Sequence, residues 1–508
     1  MKKNKCMIST VLAILLIASI LAGCSKPVQT SGPNAAQQST DGSSKTTGNS
    51  TGNTTVKPVE IWYAAEEIVN PTGTIDLLKE SLLTKLNIEL RFDIIAKSSY
   101  AEKLNVMIAS DDFPDLIDST GIPRMGEAID AGLILPVTDI LENDENWKTV
   151  DKRMFELYNY KGEIYGLPVV LDRPNAIYYR EDWLNNLNLP VPKTIDELYN
   201  VLKAFSENDP DQNGKDDTYG LVMNSSYGQT QPVWFLFLPG SPTKDNGFYY
   251  DNDAKKVKNV FQLKDDITDA LLWLKKLYDE QILDPEFVLT NSEEEENKFI
   301  TGKSGAWLKG ILWIEPRQAK LEKNFPGGSL SIFPAIEGKY GSNMKQIPSG
   351  RAIYLTRAVG NNIEAGKKAI AYISGPEGIR ELYYGREGVT YRIQGNEIIW
   401  TNPDDASKYN PGNLLSSAYT IQPLVPAKRL MRNLEIVGDY EIQKFINPTM
   451  SETYKTNGAD FKKVITEGIT KIIIGEQPIT YLDTIINDLN KLGMETICEE
   501  MNSYVNNN

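Results

Sequence analysis

Ile88-Glu89-Leu90-Arg91-Phe92-Asp93-Ile94 decides the fold class, because apolar and polar side chains alternate along it. A period of two places one set of residues on one face of an extended chain, so this stretch reads as a half-buried strand. Its flanks follow another period. Ile75 to Leu86 is amphipathic, and Tyr100 to Ile108 puts Leu104, Met107 and Ile108 on one helical face. Val59-Glu60-Ile61-Trp62-Tyr63 before them and Phe113-Pro114-Asp115-Leu116-Ile117 after them are short β-like runs. Strands alternating with helices form βα units, which predicts an α/β fold with a largely parallel sheet.

The rhythm continues. Asn175-Ala176-Ile177-Tyr178-Tyr179-Arg180 reads as a strand. Thr194, three residues before Glu197, has the capping-box spacing that starts a helix through Phe205. Ile267 to Tyr278 is helical, and the acidic run Glu293 to Glu296 reads as a solvated first helical turn favoured by the helix dipole. Asp460 to Ile474 and Tyr481 to Leu492 are helical, with Gly493 as a C-cap.

Composition narrows the chemistry. The 508 residues carry a net charge of −15, which opposes binding to nucleic acid or anionic lipid headgroups. There is no histidine, so Ser-His-Asp and Cys-His catalysis and His-ligated zinc or haem are excluded. Paired carboxylates remain open to a glycosidase, but among 68 acidic residues some pair always looks plausible. Of the cysteines, Cys6 and Cys24 lie near the start, and Cys498 reads as a small packing residue without a disulfide partner.

The first 24 residues are an export signal: Lys2, Lys3 and Lys5, an apolar run from Met7 to Leu21, then Ala22-Gly23-Cys24. The apolar run is shorter than the ~20 residues that span a bilayer. Leu21-Ala22-Gly23-Cys24 resembles the lipobox of bacterial lipoproteins, which implies cleavage before Cys24 and lipid on that residue. Ser25 to about Val56 is rich in Ser, Thr, Gly, Asn and Gln, a composition that stays solvated and serves as a tether.

Asp209-Pro210-Asp211-Gln212-Asn213-Gly214-Lys215-Asp216-Asp217 has oxygen side chains at loop positions 1, 3, 5 and 9 and Gly at position 6, as at the start of an EF-hand loop. Asp209, Asp211, Asn213 and Asp217 would offer side chains to Ca²⁺, and Lys215 its carbonyl. Position 12 is Gly220, so the bidentate Glu is missing. The alternative is an acidic Asn-Gly turn without metal.

Together with the lipobox and tether, several segments resemble extracellular solute-binding proteins of ABC importers. They are Ala109 to Ile117, Lys161-Gly162-Glu163-Ile164-Tyr165-Gly166-Leu167-Pro168, Ile177 to Leu184, Pro192 to Leu198, Gly302 to Ala306 and Lys471 to Pro478. The size is similar to the oligosaccharide-binding branch and its alginate-binding members, in which a loop of the Asp209 type holds structural Ca²⁺. The resemblance implies a two-lobed α/β, periplasmic-binding-protein-like fold of type II, with ligand enclosed between lobes joined by a hinge. It places lobe 1 at 57–172 and 348–400, lobe 2 at 173–347, and mainly lobe 2 helices at 401–508, after a signal at 1–23 and a tether at 24–56. The first crossing is expected near Val169 to Asn175 and the return near Pro348 to Leu355.

It further implies a non-enzymatic, monomeric protein held by Cys24 on the outer face of the cell membrane, which passes an oligosaccharide to ABC permease subunits. A glycosidase, a binder of peptides or other solutes, and a sensory or adhesive surface lipoprotein with no permease are the alternatives. Sugars are held by aromatic faces and by carboxylates or amides. Candidates where strands end or lobes meet are Trp62, Tyr63, Asp118, Ser119, Asp172, Arg173, Trp234, Trp307, Trp313, Tyr391 and Tyr419, each aromatic with core packing as its rival role. Arg124, Arg173 and Arg351 could pair with uronates, and each could equally be an ordinary surface or ion-pairing residue. Trp183 and Trp273 fall in helical patterns and read as core.

Overall fold

The period-two and period-3.6 segments fold as their patterns require. The computed structural model describes residues 57–66, 74–96, 99–110, 112–119, 125–149, 155, 157–171, 174–224, 230–242, 246–311, 314–346, 350–394, 397–401, 428–444 and 446–506. The signal, Cys24 and the tether lie outside these, as do the candidates Arg124, Asp172, Arg173, Trp313 and Tyr419. In chain order the main elements begin β1 (Val59–Glu66), α1 (Thr74–Leu86), β2 (Ile88–Ile95), α2 (Tyr100–Ser110), β3 (Leu116–Ser119), β4 (Ile134–Leu135) and β5 (Gly166–Leu171). Next come β6 (Asn175–Arg180), α3 (Ile195–Glu207), β7 (Tyr219–Val222), α4 (Lys264–Asp279), α5 (Ser292–Ile300), β8 (Ser304–Gly310) and β9 (Leu330–Ile332). The last are β10 (Gly350–Thr356), α6 (Ile363–Ile373), α7 (Pro376–Tyr384), α8 (Glu452–Ile473), α9 (Leu482–Lys491) and α10 (Met494–Asn506).

Two sheets organise these elements. The first runs β2-β1-β3-β10-β4, with β5 also paired to β10. Only β2, β1 and β3 are parallel, while β10 runs antiparallel to β3, β4 and β5, which corrects the expectation of a largely parallel sheet. The second runs β9-β6-β8-β7, in which β8 and β7 are parallel and β6 is antiparallel to both β8 and β9. The chain leaves the first sheet at Leu171, enters the second at Asn175, and re-enters the first at Gly350. Those exits are adjacent, because Gly350 pairs with Leu171.

Side-chain alternation assigns each sheet face to a core. On β6, Ala176 and Tyr178 face one cluster and Ile177 and Tyr179 the other, so the strand is buried on both faces and reads as a continuous apolar run. Trp183 is fully buried against Phe205, with ring centroids 5.9 Å apart. Trp273 packs against Phe237 at the margin of the same core. The C-terminal helices join this second core through Phe461, Ile465, Leu489 and Ile497, and Gly493 at φ 93° ends α9. Cys498 is buried there, and burial pushes its thiol up to about 12, so it packs and does not react.

Helix starts follow the caps. The Thr194 hydroxyl accepts from the Glu197 amide at 3.2 Å, while Glu197 takes the Lys193 amide at 2.8 Å. In α5, Asn291 and Glu294 form a complete capping box. The acidic run corrects one expectation, because Glu295 turns inward and is only 1% exposed.

Candidate ligand-binding site

β1 decides where the first sheet presents its chemistry. It does not stop at Tyr63 but continues through Ala64-Ala65-Glu66, so Glu66 stands at its C-terminal end. Trp62 and Tyr63 are mid-strand residues and are corrected accordingly. The Trp62 indole N–H donates to Asp93 at 2.7 Å and the Arg91 guanidinium lies 4.0 Å from its ring centroid, while Tyr63 is buried edge-on to Phe92 at 4.8 Å.

The C-terminal ends of β1 and β3 meet the start of β10, and three charged side chains converge there. Asp118 is completely buried, with Oδ1 accepting the Glu66 amide at 2.7 Å and Oδ2 lying 2.5 Å from Arg351 Nε. Arg351 Nη2 donates to the Glu66 carbonyl at 2.9 Å and approaches its carboxylate at 3.3 Å. Tyr100 closes the group from α2, its oxygen accepting the Asp118 amide at 3.2 Å and its hydroxyl donating to the Ala64 carbonyl at 3.3 Å. Burial pushes Asp118 up to about 6 against the opposing pull of Arg351 and of the Glu66 N–H. Burial also raises the Tyr100 phenol, so it stays neutral. Asp118 is the sequence candidate that the structure places at this edge with partners; Ser119, next to it, is held by backbone pairing to Ala352.

The second sheet presents a polar edge where β7 and β8 end and β6 begins. Asn224, just past β7, donates its amide to Glu295 of α5 in a short bond. Burial pushes Glu295 up to about 7, offset in part by Asn224, by the Trp307 indole and by Lys309. Tyr178 donates to the Gly310 carbonyl at 2.6 Å, and Asn175 Nδ2 to Gln231 Oε1 at 3.3 Å. Trp307 is wholly buried, edge-on to Tyr178 at 5.9 Å. Trp234 is equally buried, its N–H donating to Thr230 at 2.8 Å, and Tyr391 is buried in the first core. These three aromatics are packing residues in this conformation and offer no open stacking face, which corrects their assignment from sequence.

Sequence reading missed Glu66, Tyr100, Asn224 and Glu295 as site residues. Glu66 was readable in principle, had Ala64 and Ala65 been taken as strand. Glu295 was not, since only the fold shows which member of an acidic run points inward.

The acidic loop lies apart from these edges. Its turn needs left-handed backbone at Asp209 (φ 47°), Gln212 (φ 58°) and Gly214 (φ 79°). Asp209 accepts the amides of Asn213 at 3.0 Å and Gly214 at 2.9 Å, while Asn213 Nδ2 bridges Asp211 at 2.8 Å and Asp217 at 3.1 Å. Asn213 and Lys303 hold Asp217 below the usual carboxylate range, and burial raises Asp211. Among the described residues no group of three or more acidic, histidine or cysteine side chains is gathered as a metal site requires. The side chains are nonetheless of the oxygen-bearing kind that hard cations take, and the Asn213 N–H₂ lies between two of the carboxylates. Position 12 is closed to a larger side chain, because a Cβ on Gly220 would run into the Leu202 carbonyl oxygen.

Residues 65–379 match the family model described as bacterial extracellular solute-binding protein. Lipoprotein LipO of Bacillus subtilis (strain 168) is 25% identical over 452 residues, covering 82% of this chain and 86% of that protein. The polygalacturonan/rhamnogalacturonan-binding protein YtcQ of the same organism is 25% identical over 445 residues, covering 82% and 85%. Among solved structures, the alginate-binding protein AlgQ2 without calcium ion superposes with a TM-score of 0.63 at 19% identity, over 89% of this chain and 99% of that one. Two sheets joined by adjacent crossings, with polar groups gathered at their ends, are the two-lobed architecture of such proteins, and the chain belongs to the bacterial extracellular solute-binding protein family.

Proposed function

We propose that the protein captures an oligosaccharide between its two lobes and delivers it to the membrane subunits of an ABC importer. The observation that carries this reading is the pair of polar strand edges, Glu66, Asp118 and Arg351 on the first sheet and Asn175, Asn224 and Glu295 on the second. Hydroxyl-rich ligands need convergent donors and acceptors, and capture by closure needs contacts to both lobes. The names of the relatives support the ligand class, since YtcQ is named for polygalacturonan and rhamnogalacturonan and AlgQ2 for alginate.

The protein acts as a carrier and not as a glycosidase. A glycosidase needs two carboxyl groups free to serve as acid and as base or nucleophile. At the first sheet edge Asp118 and Glu66 instead share Arg351, which holds both carboxylates in ion pairs. The lipobox supports attachment through Cys24 to the outer face of the membrane, with the polar tether spacing a monomer from it. The Asp209 loop would hold Ca²⁺ through Asp209, Asp211, Asp217, the Asn213 side-chain oxygen after an amide flip, and the Lys215 carbonyl. Bound there, the ion would offset three carboxylates in one turn and stiffen the link between α3 and β7.

Calorimetric titration with kestose, rhamnogalacturonan oligosaccharides and alginate oligosaccharides tests the reading, with mass spectrometry of the sugar afterwards. Saturable binding with intact sugar is the expected result. Shortened sugar assigns a glycosidase, and binding of peptides in place of all three sugars overturns the ligand class.

A further inference from the structure

Two glutamines in this structure are buried without being satisfied. Gln346 is 1% exposed, and neither atom of its side-chain amide has a partner among the described residues. Gln231 is 2% exposed; its oxygen accepts from Asn175, while its Nε2 has no partner among the described residues. Buried amides are ordinarily paired, because an orphaned donor or acceptor forfeits its hydrogen bond to water with no return. Two such residues call for a group that the folded chain alone does not supply.

Their position indicates what that group is. Asn175, the partner of Gln231, is the first residue of β6 after the outgoing crossing. Gln346 stands just before β10, at the return crossing. One segment links the two: Gln231 opens the helical turn Gln231–Trp234, the Lys345 ammonium lies 5.7 Å from the Phe235 ring, and the Gln443 side chain donates to the Pro239 carbonyl at 2.6 Å. Gln443 also donates its own amide N–H to the Gln346 carbonyl at 2.9 Å, so the backbone of Gln346 is held while its side chain is left over. The two amides therefore belong to one neighbourhood, beside the strand ends Asn175 and Gly350 at which the chain enters the second sheet and returns to the first.

We infer that Gln346 and Gln231 form a neutral hydrogen-bonding subsite at the hinge end of the cleft, reserved for hydroxyl groups of the ligand. An amide offers a donor and an acceptor side by side, and a sugar diol offers the complementary pair. The amides are uncharged and each pairs a donor with an acceptor, so the subsite suits hydroxyl groups and brings no counter-charge for a carboxylate. Ligand reaches them with the lobes apart, and closure then buries amide and hydroxyl together. This inference rests on the proposed capture of an oligosaccharide, and it adds a distinctive expectation. A residue left unsatisfied for the sake of a ligand burdens the empty protein, so replacing it should not weaken the fold.

Gln346→Met keeps length and volume and leaves the backbone bond to Gln443 in place. The empty variant should melt at the wild-type temperature or about 1–3 °C above it. In calorimetry with the same three sugars, it should bind the sugar recognised by wild type about tenfold or more weakly. Gln231→Glu, which keeps the oxygen facing Asn175 and removes the Nε2 donor, should weaken binding likewise. A clear fall in the melting temperature of Gln346→Met overturns the inference, since the amide would then be satisfied in the empty protein. Wild-type affinity in both variants overturns it too. Failure of the wild type to bind any of the sugars strikes instead at the proposed function, and the melting arm still reads the state of the amide.

Discussion

Asp118→Ala removes one side chain from the buried group at the end of the first sheet, and the structure fixes how much that should cost. Arg351 is 7% exposed and its Nε lies 2.5 Å from Asp118, so the change strips a buried cation of its nearest counter-charge. Breaking a buried pair from one side costs about 3–5 kcal/mol. The lower end applies here, because Glu66 remains 3.3 Å from the guanidinium. The Glu66 amide also loses its acceptor, which adds about 1 kcal/mol. An unfolding entropy of about 2.1 cal/mol/K per residue over roughly 450 residues converts a total near 4 kcal/mol into a fall of about 4 °C, or about twice that if the first lobe melts alone. Differential scanning calorimetry reads the shift, and Asp118→Leu combined with Arg351→Met should recover only part of it, because the pair leaves together but Glu66 then loses its own counter-charge. A single variant within a degree of wild type, or a double variant as unstable as the sum of the singles, would show that the three groups do not act as one unit.

Further outcomes follow from other sites. Glu295 has its folded-state affinity for protons raised to about 7 from an ordinary 4.5, so it stabilises the fold below about pH 4.5 and loses that contribution as pH rises through 7. Glu295→Gln should therefore gain on wild type in melting temperature across that window, and a constant difference from pH 4.5 to 7.5 refutes the assignment. Adding Ca²⁺ at about 100 times its dissociation constant should stabilise the protein by about 2.7 kcal/mol, an effect that EGTA reverses and Asp211→Ala abolishes; equal melting curves with Ca²⁺ and EGTA would exclude the ion. Gly220→Ala should be severely destabilising, because its Cβ would meet the Leu202 carbonyl at 2.1 Å, and a soluble variant with wild-type melting would contradict that packing. Cys24→Ala should release the protein from membranes with sugar binding intact, as fractionation and calorimetry would report.

Local pattern carried much of the fold and little of the site. Ile88 to Ile94, Asn175 to Arg180 and the Thr194–Glu197 cap read correctly because each depends on neighbours within a few residues. The direction of β10 did not, since antiparallel pairing to β3 depends on a partner more than 200 residues away. Asp118 was legible as a polar residue closing an apolar run. Its partner Arg351 was named only as one of several arginines, because nothing in sequence brings residue 351 to residue 118. Trp234, Trp307 and Tyr391 misled for the opposite reason, in that an aromatic suited to stack on sugar is equally suited to fill a core.

The pairing of Gly350 with Leu171 has a mechanical meaning. Both crossings spring from neighbouring strands, about 4.8 Å apart, so they act like two pins on one short axle. A swing about that axle displaces each strand end in proportion to its distance from it. Arg351, beside the axle, hardly travels, whereas the far end of β2, three strands further across, sweeps the widest arc. Under the proposed capture, groups near the axle would keep their hold on a sugar in either posture, and the distant rim, with its long lever arm, would register whether the gap has been filled.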